Sequence, residues 1–234
     1  MHIIITGASS GLGKALTEAF LEKNKDNHII GISRSKTITH PRYHHITANL
    51  SDIDEIKNLH ISIPDSEKKC LLINNAGQID PIDFTQSLNV HALAKHYHLN
   101  VLAVHAMCSK FLTATENKAH RHIINISSGA GKYPVKGWGA YCAGKAAVDM
   151  LSRVMAEEYT DVGVWSLAPG IVDTPMQSTI RHTPEEAFPD LPRFINYHQN
   201  GELVSAEQTA LKIIALFDHP EKVKDVVISL RDFA

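Results

Sequence analysis

Short apolar runs alternate with stretches of helical periodicity along most of the chain. Runs too short and too uniformly apolar to show a helical period lie at 2–6, 28–33, 45–48, 70–74, 122–126, 162–167 and 226–230, and each reads as a strand. Between most of them the apolar positions recur at helical spacing. Leu12, Leu16, Ala19 and Phe20 share one side of the first such stretch, and the long ones cover 88–112 and 140–159. Shorter helices are expected after Ser51 and after Ser205, each a candidate N-cap. Strands and helices in alternation predict an α/β fold: a doubly wound parallel sheet with helices on both faces and right-handed crossovers. Ligands of such sheets bind at the carboxyl ends of the strands.

Composition narrows this to one domain spanning 1–234. The chain has 44% hydrophobic and 21% charged residues, ordinary for a globular protein with a single substantial core. A net charge of −2 leaves no basic footprint for nucleic acid, and no apolar run approaches a membrane span. With no secretory signal before the first strand, a cytoplasmic protein is expected. Cys70, Cys108 and Cys142 lack CxxC spacing, which suits a reducing compartment better than a disulfide framework.

Two segments carry candidate chemistry. The first strand runs directly into Gly7-Ala8-Ser9-Ser10-Gly11-Leu12-Gly13 and then a helix, the order in which a glycine turn and a helix N-terminus cradle a pyrophosphate. In the second, Ser128 precedes Tyr141-Cys142-Ala143-Gly144-Lys145. On a helix the phenol and the ammonium would share one face. Moving a phenol from its ordinary pKa of about 10 to near 7 takes roughly 4 kcal/mol, and one ammonium about 4 Å away at an effective dielectric of about 20 supplies that amount. Lys145 is therefore expected to lower the Tyr141 pKa.

Taken together, Thr6 to Gly13, Asn74-Asn75-Ala76-Gly77, Ser128, Tyr141 with Lys145, and Pro169-Gly170 resemble the classical short-chain dehydrogenase/reductase family over essentially the whole chain. The segments 126–131, 136–138, 141–147 and 168–170, with Asp173-Thr174 and Met176-Gln177, are most similar to its sepiapterin reductases and to bacterial members that reduce benzil to (S)-benzoin. The resemblance implies carbonyl reduction, with Ser128 polarising the carbonyl oxygen and Tyr141 donating the proton. It also implies that Lys145 tunes Tyr141 and binds the nicotinamide ribose, and that Asn100 holds a water connecting Lys145 to solvent. The implied cofactor set is Gly7, Ser9, Ser10, Gly11, Leu12, Gly13, Ser33, Arg34, Asn49, Leu50, Asn75, Ala76, Gly77, Tyr141, Lys145, Pro169, Gly170, Val172 and Thr174. At the end of the second strand, where NAD sites place an acid against the ribose 2′-hydroxyl, Ser33 and Arg34 stand instead, which predicts NADPH. Asn49-Leu50 replaces an acid and an aliphatic residue beside adenine, and Ser10 stands where some NADP-dependent relatives carry a basic residue.

The segment 171–203 is too long for a plain connection and predicts a substrate lid. Thr183-Pro184-Glu185-Glu186 has the form of an N-cap with Pro at the first helical position. Phe188, Leu191, Phe194, Ile195 and Tyr197 would cover a hydrophobic or aromatic dicarbonyl; alternatively they join the core and only Met176 and Gln177 approach substrate. Tyr133 and Trp138 are further pocket candidates. In sepiapterin reductases an acid of the final strand anchors the pterin. The matching position here is Ser229, with Asp232 nearby, so a benzil-type diketone is expected ahead of a pterin.

Two other functions compete. Gly7 to Gly11 also fits the G-x-S-x-G elbow of a serine hydrolase using Ser9, with Asp173 and His219 following in order, but only six residues precede it. A non-catalytic NADPH sensor is the second, and the intact Asn100, Ser128, Tyr141 and Lys145 set disfavours it. Among fifteen histidines, His91, His98 and His105 recur along one helix side without zinc-type spacing, so no metal is expected. The family's habit of pairing through this helix and the Tyr141 helix implies a homodimer or homotetramer.

Overall fold

The computed structural model describes residues 1–64 and 66–233. In chain order the elements are β1 (His2–Thr6), α1 (Gly11–Lys23), β2 (His28–Ser33), β3 (Tyr43–Thr47), α2 (Ile53–Asn58), β4 (Lys69–Asn74) and α3 (Val90–Tyr97), followed by a π-turn at His98–Leu102 and α4 (Ala103–Ala114). Then come β5 (His120–Ile126), α5 (Gly139–Glu158), β6 (Val162–Ala168), β7 (Val172–Asp173), α6 (Pro175–Arg181), α7 (Leu191–Gln199), β8 (Val204–Ser205), α8 (Ala206–Phe217) and β9 (Val227–Ser229). The main sheet has seven strands in the order β3-β2-β1-β4-β5-β6-β9. Every pairing in it is parallel. This is the single-domain Rossmann-like α/β fold that the alternating pattern predicts.

Because successive side chains of a strand point to opposite faces, each apolar run feeds two cores. Ile3, Ile5, Leu71 and Ile73 pack under α1 and α8, with Leu16, Phe20 and Ile213. Ile4, Leu72 and Ile123 pack on the other face under α4 and α5, with Met107, Phe111, Val148 and Met155. A third cluster, centred on Trp138, Tyr141, Phe188 and Phe194, closes the top of the sheet beside α6 and α7.

Several local expectations are corrected. The helical stretch at 88–112 divides into α3 and α4 around the π-turn that carries buried Asn100. The cap of α2 is Asp52, whose carboxylate accepts from the backbone N–H groups of Asp54 and Glu55; Ser51 instead donates its hydroxyl to Asn49 Oδ1 at 2.7 Å. No helix starts at Thr183-Pro184. The Pro184 carbonyl there accepts from the N–H groups of Ala187 and Phe188 in a turn, and the fully buried Phe188 side chain is held against Trp138. The helices of this segment begin on either side of that turn, each with a proline in its first turn, Pro175 and Pro192. The two-residue strands β7 and β8 pair in parallel, Val172 with Val204 and Asp173 with Ser205, and so tie the base of the segment together.

Where α1 leaves the first strand, close approach excludes any side chain. A Cβ on Gly13 would lie 2.3 Å from the Gly7 carbonyl oxygen and 2.4 Å from Asn75 Nδ2. Gly13→Ala is therefore expected to lower stability by about 1–3 kcal/mol through overpacking. Urea denaturation checks this, and an unchanged midpoint would show that α1 can shift without cost.

Candidate functional site

Each loop leaving the carboxyl edge of the main sheet contributes to one cavity of about 900 Å³. The β1 loop supplies Gly7, Ser9, Ser10, Gly11 and Leu12, the end of β2 supplies Ser33 and Arg34, and the loop after β3 supplies Asn49, Leu50 and Ser51. Asn75, Ala76, Gly77 and Gln78 follow β4, Ser127, Ser128 and Ala130 follow β5, and Pro169, Gly170, Val172 and Thr174 follow β6. All the expected cofactor residues except Gly13 line this wall; Gly13 instead packs beneath the turn. The crevice lies where strand order reverses about β1 and β4, the switch point at which such sheets bind ligands.

The glycine end fits a dinucleotide by its backbone. Gly7 and Gly11 hold φ of 70° and 49°, a region that costs a side-chain-bearing residue free energy. Ser10 precedes α1 and makes no side-chain cap, so the first N–H groups of the helix are directed at the crevice without an internal acceptor. Thr6 Oγ1 accepts from the N–H groups of both Asn75 and Ala76 at 3.0 Å, locking the β4 loop to the first strand. Arg34 is exposed and, among the described residues, has no ion-pair partner. Asn49 Oδ1 is engaged by the Ser51 N–H and hydroxyl, so the acceptor assigned to adenine is already shared.

Tyr141, Lys145 and Ser128 line the other end of the cavity, and Asn100 is buried behind that lining. Tyr141 and Lys145 lie one turn apart on the inward face of α5, and the Lys145 Nζ is 5.6 Å from the phenol ring centroid. Lys145 donates to the Ile126 carbonyl at 2.7 Å, which fixes the helix against the end of β5. The Ser128 side chain lies near enough to the Tyr141 phenol to favour its charged form, and its oxygen accepts from the Ala130 N–H at 3.2 Å. Asn100 clips the loop after β4, accepting from the Gln78 N–H at 3.1 Å and donating to the Gln78 carbonyl at 2.8 Å. A Cβ on Gly77 would meet Asn100 Oδ1 at 2.8 Å and Lys145 Nζ at 3.8 Å, so a glycine is required for the three to converge.

Electrostatics correct the expectation for Tyr141. Burial pushes its phenol up to about 12, against the pull of the Ser128 hydroxyl, and burial brings Lys145 down to about 8, against the attraction of Asp149. Desolvation outweighs the ammonium because the whole pair lies out of water. The phenol is consequently a firmly protonated acid, and Lys145 is the group that changes charge near neutral pH.

Two buried titratable residues in this region escaped the sequence reading. His96, fully buried, has Nδ1 2.6 Å from the Asp80 carbonyl and stacks edge-on to Tyr141 at 6.3 Å. Asp149 accepts the hydroxyls of Ser127 and Ser166, both at 2.6 Å. Their only sequence signal is helical spacing: His96 is four residues before Asn100, and Asp149 four after Lys145.

The open side is walled by Ile79, Tyr133, Val135, Trp138, Met176, Gln177, Phe194 and Tyr197. Phe188, Leu191 and Ile195, expected to cover substrate, do not line the cavity; Phe188 stacks on Trp138 at 5.1 Å and 6°, buttressing that wall from behind. Ser229 and Asp232 both reach the wall. The hydrolase set does not assemble: neither Asp173 nor His219 lines the cavity that Ser9 lines, and His219 Nδ1 faces Glu221 at 3.1 Å. Among the described residues no group of three His, Cys, Asp or Glu side chains is placed to hold a metal ion, and no helix is long and apolar enough to cross a membrane.

Comparison with known proteins agrees with this geometry. The family model described as short chain dehydrogenase matches residues 1–185. A benzil reductase ((S)-benzoin forming) of Bacillus cereus is 35% identical over 98% of this chain and 98% of its own length. The sepiapterin reductase of Rattus norvegicus is 32% identical over 91% of this chain and 89% of its own. The crystal structure of a short chain dehydrogenase/reductase from Saccharomyces cerevisiae superimposes with a TM-score of 0.88 at 25% identity, covering 98% of this chain and 95% of that one. The chain thus belongs to the classical short-chain dehydrogenase/reductase family, as an NAD(P)-dependent oxidoreductase with relatives among the benzil and sepiapterin reductases.

Proposed function

We propose that this protein is an NADPH-dependent carbonyl reductase whose substrates are aromatic or otherwise hydrophobic α-dicarbonyls, benzil-type diketones foremost, with Tyr141 as the proton donor. The observation that carries the reading is a buried phenol, with Ser128 beside it and Lys145 behind it, at the floor of a cavity walled by aromatic side chains. Bound NADPH would supply the hydride that reaches the carbonyl carbon. Ser128 would polarise the carbonyl oxygen, and the Tyr141 proton would pass to that oxygen as it becomes an alcohol. A phenol with a pKa of about 12 is protonated throughout the working range, as reduction requires of its acid. The ammonium of Lys145 would stabilise the phenolate left behind, and Asn100 would hold the adjoining loop and its proton path. Removing Tyr141 Oη takes away both the acid and an oxygen ligand of the developing alkoxide.

Cofactor choice rests on Ser33 and Arg34. A serine hydroxyl in place of a carboxylate avoids repulsion with a 2′-phosphate, and an unpaired guanidinium offers charge-assisted hydrogen bonds worth about 1.5–3 kcal/mol each. The free state of Cys70, Cys108 and Cys142 suits the cytoplasmic placement expected from the sequence. A dimer would cover Leu102, Met150 and Val154, which lie exposed at the π-turn that leads into α4 and on α5.

A second reading, reduction of a pterin side-chain ketone, is favoured by one observation: the Asp232 carboxylate reaches the cavity wall although Ser229 occupies the matched strand position.

With NADPH the protein is expected to turn over benzil with a higher kcat/KM than sepiapterin. The reverse order would install the pterin reading, and no turnover of either would remove the reductase assignment. Tyr141→Phe should lose about 10²–10⁴-fold in kcat while NADPH still binds, as followed by cofactor fluorescence; normal turnover in this variant would eliminate Tyr141 as the acid. Arg34→Asp should weaken NADPH at least tenfold and leave NADH no weaker, and equal affinities unmoved by the substitution would reject the assigned 2′-phosphate contact. Sedimentation should give a dimer or a tetramer, whereas a monomer at micromolar concentration would leave the α4 and α5 faces without that role.

A further inference from the structure

We propose that Asp149 is a positioning residue of the reaction, whose buried carboxylate keeps the Lys145 ammonium charged and holds the Ser127-Ser128 strand end in place. Tyr141, Lys145 and Asp149 recur every four residues on the inward face of α5, and each is less than 9% exposed. A carboxylate this deeply buried is costly unless paired or hydrogen-bonded. Asp149 Oδ1 accepts two hydroxyls, from Ser127 beside the Lys145 anchor Ile126 and from Ser166 on β6. Its Oδ2 lies against the backbone of Gly131, where a Cβ would come within 2.6 Å. One carboxylate therefore joins α5 to both strands that deliver the site, with its charge one turn from the ammonium.

The surroundings leave Asp149 as the neighbour able to hold that ammonium protonated. Lys145 is opposed by burial, and the attraction named against it comes from Asp149. On α5 the other titratable neighbours are Tyr141, protonated, Cys142 beside it, and Arg153, which is exposed. From α3, His96 faces the pair, and its own burial disfavours the charged form. The β5 and β6 ends offer the Ile126 carbonyl and the hydroxyls of Ser127, Ser128 and Ser166, none of which titrates near neutral pH. Lys132 after β5 and Arg231 and Asp232 after β9 stand exposed at the cavity, where solvent screens them.

This inference rests on the reductase reading for its role in turnover, and one set of measurements separates the two. Benzil reduction with NADPH is followed from pH 6 to pH 10 in the parent, Asp149→Asn and Ser127→Ala. Asparagine can still accept both hydroxyls while lacking the charge. Rates of the parent should fall above about pH 8, where Lys145 loses its proton. In Asp149→Asn that limb should move down by about one unit, so that the deficit grows from slight at pH 6 to roughly tenfold at pH 9. Ser127→Ala deletes one hydroxyl and keeps the charge, so its limb should coincide with the parent's. A deficit in Asp149→Asn that is the same at every pH would reduce Asp149 to scaffolding and overturn the proposal. Lysine labelled with ¹³C at Cε, assigned with Lys145→Met, reads the same titration by NMR without turnover. Should the parent reduce neither benzil nor sepiapterin, the reductase reading falls, and the NMR displacement alone decides whether Asp149 governs Lys145. A second neutral variant, Asp149→Ser, must give the same displacement if Asp149→Asn does not fold; coincident titrations of variant and parent would end the proposal.

Discussion

A lysine ammonium taken out of water at the carboxyl edge of the sheet sets the geometry of everything around it. Lys145 is only 6% exposed, and an isolated buried charge is among the most expensive features a fold can contain. The hydrogen bond to the Ile126 carbonyl at 2.7 Å gives it one fixed direction, so α5 can neither rotate nor slide against β5 without leaving that proton unpaired. The same constraint sets the phenol one turn earlier and the Ser128 hydroxyl two residues beyond the anchor carbonyl. Asn100 reaches the group from the opposite side because the π-turn after α3 carries it inward, and a widened turn of this kind is common where a helix serves a site. Two helices, one strand end and one loop thus converge on a cation whose burial also brings its pKa down to about 8.

What could be read from the sequence divides along the same physical line. The glycine turn and the Tyr141–Lys145 pair were legible as short local patterns whose chemistry dictates their spacing, and Ser128 and the Asn75-Ala76-Gly77 loop only through the family resemblance of the whole set. The strands were legible because buried runs are apolar on both faces. Asp149 and His96 were not, since their meaning depends on which side of a helix meets which strand, and neither residue type at that spacing implies a site. The sign of the Tyr141 shift was misread for a related reason. Counting charges along a helix gives the attraction of Lys145, but desolvation depends on the cover that β5, α3 and α6 place over the pair, and sequence carries no measure of it. The Thr183-Pro184 signal likewise describes a start that local chemistry allows. Phe188 gains more by filling the space behind Trp138 than a further helical turn would supply.

The cavity therefore has two ends built to different mechanical standards. Its chemical end stands on sheet and long helices, with Asn100 held by both backbone groups of Gln78 and Lys145 by the Ile126 carbonyl. Its substrate wall stands on α6 and α7, which leave and rejoin the body through a ladder of two residue pairs and are joined by turns. Packing of Trp138 on Phe188 and Phe194 holds that wall with contacts that are broad and apolar, and hence tolerant of changes in shape. A change of residue there alters the volume of the cavity without touching Tyr141, while a change at the other end removes a partner from a buried charge. Such a division lets relatives share one reaction and differ in the ketone they accept. It also explains why the reaction class can be read from a few residues of this chain, whereas the identity of the substrate depends on how the other residues of the wall fold over it.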